Sequence, residues 1–133
     1  MRPATIHEAG QRIQQGEPWS TALGDFLQAF YTAPDVTARI AMLARAPDRT
    51  KDAQLDALMG GIAEYLYKRW TRVEPPRWMG EPERYLAELW FTTESRDPAV
   101  LEYLTFVSPP EFKSRNIMTE EAPLRRASLR AMP

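Results

Sequence analysis

The sequence predicts an all-α fold, a compact bundle of about six or seven helices forming a single domain over residues 1–133. Three observations support this prediction. Apolar residues recur at spacings of three and four along most of the chain, as they do on the buried face of a helix. Several prolines stand where such a period begins, in the first helical turn, where the missing N–H costs nothing. No segment alternates at period two for long enough to predict a hairpin, so at most a short strand pairing is expected.

The bulk composition is that of a soluble globular chain. The chain has 133 residues, of which 44% are hydrophobic and 26% charged, and these values are close to globular averages. No apolar run approaches the roughly 18 residues that cross a bilayer, and the N-terminus lacks the apolar segment of a secretory signal. We therefore expect a cytoplasmic protein that does not enter a membrane.

Three helices are predicted in the first third of the chain. Thr5-Ile-His-Glu8 matches a capping box and begins a helix that stops at Gly16. A second helix begins after Pro18 and ends before Pro34, and its apolar residues recur at spacings of three and four. A third helix is expected over about Asp35–Arg45, where a following proline ends it.

The longest predicted helix, about Asp52 to Thr71, is expected to be the spine of the core. It keeps one apolar face over five turns and carries cations at its C-terminal end, where the macrodipole favours them. Gly60-Gly61 lies in its middle, where each glycine costs about 1 kcal/mol relative to alanine. Either another element packs closely there or the helix bends, and we favour close packing.

The second half is predicted to contain shorter helices. Residues 73–80 form a proline-rich connector, and a helix of about ten residues is expected from Glu81. Asp97-Pro98 begins another, and Ser108-Pro-Pro-Glu111 has the residues of a capping box with Ser108 as N-cap. A last helical turn or two is expected from Thr119. Residues 128–133 are predicted to be a flexible tail.

Few catalytic chemistries fit this composition. There is no cysteine and one histidine, His7, so thiolate catalysis, Cys-ligated zinc and a histidine metal pair are not expected. No glycine-rich phosphate loop occurs, and the carboxylate spacing selects no catalytic pair. Asp48, Asp52 and Asp56 lack the pattern of a calcium loop and are interpreted as solvated acids near a helix start. We therefore expect a non-enzymatic protein with no metal and no cofactor.

The second half combines aromatic residues with arginine, a composition found at protein interfaces and on single-strand nucleic-acid platforms. The candidates for partner binding are Trp78, Trp90, Phe91, Phe112, Lys113 and Arg115. Trp78 lies in the proline-rich connector, where it either fills the core or contacts a partner.

The segment FVSPPEFKSRNIM, residues 106–118, admits two interpretations. In the first it is a capped short helix that buries Phe112, with Arg115 at its C-terminus and Asn116 as a left-handed stop. In the second, Phe112 is partly exposed beside Lys113 and Arg115, and together they form a cationic patch for an acidic partner.

Five sequence blocks of the second half resemble those of a known protein family. The blocks are Pro75-Pro-Arg-Trp78, Glu81-Pro-Glu-Arg-Tyr-Leu86, Leu89-Trp-Phe91, Val107-Ser-Pro-Pro-Glu-Phe-Lys-Ser-Arg-Asn-Ile117 and Leu124-Arg-Arg-Ala127. In this order they resemble a family of small bacterial proteins, the antitoxin-like partners of neighbouring nucleotidyltransferase-type toxins. The resemblance covers about residues 75–127. It implies a protein-binding role and carries over no catalytic residue.

The sequence therefore leads to an antitoxin-like or regulatory protein-binding domain, with a nucleotidyltransferase-like toxin as the implied partner. The alternative is a nucleic-acid-binding regulator that uses the Arg and aromatic residues of the second half. A net charge of −1 does not favour this alternative. A self-associating domain is a third hypothesis.

Overall fold

The computed structural model describes residues 4–121 and 123–124. Helix accounts for 58% of the structure and strand for 3%, which confirms the all-α prediction. The α-helices within the described residues are α1 (Ile6–Gln14), α2 (Trp19–Tyr31), α3 (Val36–Ala44), α4 (Ala53–Trp70), α5 (Pro98–Val107) and α6 (Pro110–Lys113). Two 3₁₀ turns, Arg77–Gly80 and Pro82–Arg84, and two short strands, β1 (Trp90–Phe91) and β2 (Ile117–Met118), lie between them. The predicted flexible tail, residues 128–133, lies outside the described residues.

Side-chain caps begin four of the helices at the predicted places. Thr5 accepts a hydrogen bond from the Glu8 N–H, and Asp35 accepts one from the N–H of Ala38. Asp52 and Asp97 cap α4 and α5 in the same way. These caps confirm the predicted starts of α1, α3, α4 and α5. None of the described helices combines the length and the apolar character that crossing a membrane requires.

The core is built around α4, as expected. α4 packs against α3, α6 and both 3₁₀ turns, while α1 packs against α2. Large side chains from α2, α3 and α4 fill the interior, among them Phe26, Phe30, Leu43, Ile62 and Leu66, which are almost fully buried.

Gly60-Gly61 is the place where α6 and the 3₁₀ turns approach α4. A Cβ atom at Gly60 would lie 2.8 Å from Nη1 of Arg115, and one at Gly61 would lie 3.0 Å from Cδ1 of Phe112. Both distances are shorter than ordinary contacts, so the two glycines permit this packing. The expectation of close packing at this pair is confirmed.

The ten-residue helix predicted from Glu81 is wrong. A single 3₁₀ turn, Pro82–Arg84, is followed by non-helical backbone up to β1. The N–H of Leu86 donates to the carbonyl of Arg115, and the N–H of Trp90 donates to the carbonyl of Asn116. These long-range bonds occupy the N–H groups that a helix would need.

The predicted N-cap role of Ser108 is also wrong, because Pro109 precedes α6 and no side chain caps it. The Ser108 hydroxyl instead accepts a hydrogen bond from the N–H of Thr119 at 2.8 Å. It also lies within donating distance of the carbonyl oxygens of Leu104 and Thr119. The segment from Thr119 is not helical, contrary to expectation, whereas Asn116 has the predicted left-handed conformation with a φ of 65°.

The two strands form one parallel pair, with Trp90 opposite Ile117 and Phe91 opposite Met118. α5 lies in the chain between them. α5 differs from the other long helices because it packs only lightly against the rest of the described structure, and Leu104 is its one buried residue. This light packing leaves most of an apolar helix at the surface.

Candidate protein-binding surface

The outer face of α5 exposes aromatic side chains. Ala99, Glu102, Tyr103 and Phe106 recur at helical spacing and are all exposed, so they form one face. Phe106 is 86% exposed and Tyr103 is 52% exposed. We call these four residues the α5 surface. Exposed large aromatic side chains that lie side by side are typical of an interaction site.

The sequence of α5 explains why apolar residues reach this face. Only Glu102 and Thr105 are polar between Pro98 and Val107. On the opposite side of the helix, Leu104 is buried. The contact of α5 with the core therefore needs only one narrow apolar stripe. The aromatic residues Tyr103 and Phe106 lie outside that stripe and remain exposed.

A largely apolar cavity of about 490 Å³ lies beneath α5, and we call it the α5 groove. Its lining comes from α2, α4, β1, α5, α6 and the segment after β2. The main apolar members are Trp19, Leu23, Leu58, Ile62, Trp90, Tyr103, Leu104, Phe112 and Leu124. Tyr103 belongs to both features, so the α5 surface is continuous with the α5 groove.

Two tryptophans make one wall of the α5 groove. The rings of Trp19 and Trp90 meet edge to face, with centroids 6.4 Å apart and planes at 88°. Trp90 is held by the bond from its N–H to the Asn116 carbonyl, at 2.8 Å. This wall is therefore fixed by backbone pairing and by ring packing.

Three carboxylates accompany the apolar residues. Glu102 belongs to the α5 surface, Glu120 lines the α5 groove, and Glu121 follows it as an exposed residue. Within residues 4–121 and 123–124, none of the three forms an ion pair. We call them the acidic rim. In the described part of the chain, the rim gives a largely apolar site a negative border.

The sequence-predicted partner residues separate into different environments. Trp90 is half-buried in the wall of the α5 groove. Phe91 is half-buried beside a second cavity of about 600 Å³, which is lined largely by polar residues such as Gln54, Thr93 and Glu94. Trp78 is only 9% exposed, and its Nε1 donates to the Leu43 carbonyl at 3.1 Å. Of the two alternatives for Trp78, the structure therefore favours core filling.

The cationic patch around Phe112, which is the second interpretation of residues 106–118, is not formed. Phe112 is 1% exposed and packs against Gly61, and Arg115 is fully buried. Lys113 alone of the three is exposed. The part of the prediction that placed Phe112 and Arg115 on a partner-facing surface is therefore wrong.

Arg115 is buried because polar groups converge on its guanidinium. It donates to the carbonyl oxygens of Met79 and Arg84, at 2.6 and 2.9 Å, and to the Glu64 carboxylate at 3.0 Å. The ring of Tyr85 lies 4.3 Å from its Cζ atom. Arg115 thus joins α4 to the 3₁₀ turns, and its role is structural.

Sequence reasoning missed Tyr103, Phe106 and Trp19. The available signal was the excess of apolar residues in α5. Its apolar positions cover more of the helix than one buried stripe requires. A helix with that pattern is either buried all round or contacts something else.

A second surface lies at the C-terminal end of α4. The guanidinium of Arg39 stacks on Trp70 at 4.8 Å, and that of Arg69 stacks on Tyr65 at 3.8 Å. Trp70 is partly exposed, and Arg72 follows it as an exposed cation. Arg69 is also paired with Glu111 at 3.1 Å, which reduces the local positive charge.

The remaining acidic and histidine candidates have structural roles. Asp56 is buried rather than solvated, and it accepts bonds from the N–H and the hydroxyl of Thr50. His7 is buried, with Nδ1 lying 2.9 Å from the Ala46 carbonyl oxygen. Among the residues that the structure describes, no group of three or more His, Asp or Glu is arranged to hold a metal ion.

Comparison of the chain with protein-family models, with curated proteins and with solved structures returns no match.

Proposed function

We propose that this chain is a non-enzymatic protein-binding domain that engages its partner through the α5 surface and the α5 groove. The observation that carries the proposal is the 86% exposure of Phe106 beside Tyr103, which leads into the groove. Aromatic side chains at the centre of an apolar site dominate binding energy at interfaces. Burial of such a surface is favourable by roughly 25 cal/mol for each Å² removed from water.

The resemblance to antitoxin-like proteins points to a nucleotidyltransferase-type toxin as the first partner to test. The chain would bind this toxin, which is encoded beside it, in a stable complex and would thereby inhibit it. The chain needs no catalytic residue for that role, because a bound domain can block an active site sterically.

Co-expression with a neighbouring nucleotidyltransferase-type protein tests the proposal. The tagged wild-type chain is expected to retain that protein on purification and to restore growth. The Tyr103→Ser/Phe106→Ser variant is expected to bind at least about tenfold more weakly. Val36→Ser is the matched control, since it removes a 44% exposed apolar side chain from α3.

Two outcomes would contradict this assignment. If the wild-type chain neither retains such a protein nor restores growth, the antitoxin-like role is wrong. If the double variant binds as well as wild type while Val36→Ser weakens binding, the interface lies elsewhere.

Nucleic-acid binding is the second candidate function, and the Arg39–Trp70 stack with exposed Arg72 favours it. Contacts of this kind combine base stacking with phosphate attraction. Binding of single-stranded RNA or DNA would then weaken steeply as salt rises, and Arg72→Gln would reduce the salt slope. Absence of binding at low salt would exclude this function.

A further inference from the structure

The α5 surface and the α5 groove have a shape that restricts what occupies them. The exposed residues Ala99, Tyr103 and Phe106 run along one side of a helix, whereas the groove opens beside Tyr103. A small molecule in the groove would leave Phe106 uncovered. An element that lies along α5 would cover Phe106 and could also place a side chain in the groove.

Among the described residues, the charged side chains that line the α5 groove or belong to the α5 surface are carboxylates. Glu102 directly precedes Tyr103 on the α5 surface, Glu120 lines the α5 groove, and Glu121 follows Glu120 in the chain. Arg96 precedes α5, but its guanidinium donates to the carbonyl oxygens of Thr93 and Ser95 in its own loop. The acidic rim therefore has no ion-pair partner within the part of the chain that the structure describes.

From this arrangement we infer that the occupant is a cationic amphipathic helix of the partner protein. Its apolar stripe packs along Tyr103 and Phe106, and a large apolar side chain enters the α5 groove against Trp19 and Trp90. Lys or Arg residues flanking that stripe meet the acidic rim. This inference rests on the proposed function and names the partner segment.

Helix packing accounts for the geometry. Residues three and four apart on the α5 surface form a ridge, and a second helix packs against such a ridge with its own apolar stripe. The groove volume of about 490 Å³ accommodates large side chains from that stripe. Strand addition is less suited to the site, because β1 and β2 have two residues each.

Charge complementarity sets the specificity. Lysine or arginine beside an apolar stripe is attracted to Glu102, Glu120 and Glu121, whereas glutamate at the same positions is repelled. Since these carboxylates are at the surface, added salt screens the attraction. The affinity of the correct partner segment should therefore fall as ionic strength rises.

Three designed peptides of about 18 residues test the inference on the full chain. All carry leucine on one helical stripe, and their remaining positions are lysine, glutamine or glutamate. Binding is followed by anisotropy of a labelled peptide, and a change in tryptophan fluorescence that is lost in Trp19→Phe/Trp90→Phe reports entry into the groove. The lysine peptide is expected to bind at least about tenfold more tightly than the glutamate peptide, with the glutamine peptide between them.

Variants then assign the contacts. Glu102→Gln/Glu120→Gln/Glu121→Gln is expected to weaken the lysine peptide severalfold, to flatten its salt dependence and to leave the glutamine peptide unchanged. Glu74→Gln/Glu88→Gln is the matched control, since it removes exposed carboxylates outside the rim. Phe106→Ser is expected to weaken the lysine and glutamine peptides alike.

The outcomes separate this inference from the proposed function. Equal binding of the lysine and glutamate peptides, with Phe106→Ser weakening both, would overturn the cationic assignment and leave the α5 surface as a binding site. If no peptide binds and the partner complex is insensitive to Phe106→Ser, both fail. Concentration-dependent dimerisation of the chain that Phe106→Ser abolishes would assign the surface to a second copy and overturn the inference.

Discussion

Arg115 occupies the space into which a side chain at Gly60 would project. A Cβ atom at Gly60 would lie 2.8 Å from Nη1 of Arg115 and 3.2 Å from Cβ of Arg84. The guanidinium cannot retreat without breaking its bonds to the carbonyl oxygens of Met79 and Arg84. The glycine on α4 and the buried arginine therefore depend on each other.

Gly60→Ala is expected to destabilise the protein. Alanine ordinarily favours a helix interior by about 1 kcal/mol relative to glycine. Here the added methyl group displaces Arg115, so we expect a net loss of about 1–3 kcal/mol in the free energy of unfolding. Urea denaturation measures it. Gly24→Ala in α2 is the control, because nothing lies within 4 Å of its Cβ position, and it should gain about 0.5–1 kcal/mol.

Arg115→Met is expected to cost about 3 kcal/mol or more, because it leaves two buried carbonyl groups and Oε1 of Glu64 without their donor, while Lys68 still pairs with Oε2. Arg115→Lys should recover only part of this loss, since an ammonium cannot reach all three acceptors in the geometry of a planar fork. Thermal or urea unfolding of both variants measures the difference. Lys113→Met, at an exposed position, should stay within about 0.5 kcal/mol of wild type, and an equal loss there would contradict the structural role of Arg115.

Ser108→Ala is expected to destabilise the junction between α5 and β2 by about 1–3 kcal/mol. The substitution leaves the buried N–H of Thr119 without its acceptor. Hydrogen exchange distinguishes this role from helix capping: the Thr119 amide should lose protection, whereas the amides at the start of α6 should not. Ser114→Ala, at an exposed residue, should change neither. Selective loss of protection at the start of α6 would instead support the N-cap role.

Phe106→Ser is expected to leave the fold intact. Its side chain is 86% exposed, so removing it takes little buried area from the core. The free energy of unfolding should stay within about 0.5 kcal/mol of wild type, as for most exposed positions. A loss of several kcal/mol would mean that Phe106 serves the core rather than a partner.

The structural roles that the sequence predicts correctly depend on local interactions. Thr5, Asp35, Asp52 and Asp97 cap helices through hydrogen bonds that span only two or three residues, so the sequence pattern contains the whole signal. The close packing at Gly60-Gly61 was also predictable, because two glycines inside a strong helical period need a reason.

The failures arise from distant partners. Tyr85, Leu86 and Leu89 have helical spacing, yet the N–H of Leu86 bonds to the carbonyl of Arg115, far along the chain. From the sequence, Arg115 is predicted either at the C-terminus of a short helix or in an exposed cationic patch. Its burial depends on three acceptors that come together only in the folded chain. The exposure of Phe106 was not predicted for a related reason. Whether an apolar residue is buried depends on contacts with residues that are distant in the sequence.

Thr119 is the point at which both ends of the α5 segment are tied down. The Thr92 hydroxyl lies 3.3 Å from the Thr119 hydroxyl, and the Ser108 hydroxyl bonds to the Thr119 backbone. Residues 93–107 thus begin and end next to the same residue, Thr119. When the two ends of a flexible insertion are fixed, the stability of the protein changes only slowly with the length of the insertion. The exposed positions Ala99, Glu102, Tyr103 and Phe106 can therefore be varied together in a library, while Leu104 and the attachment at Thr119 are kept.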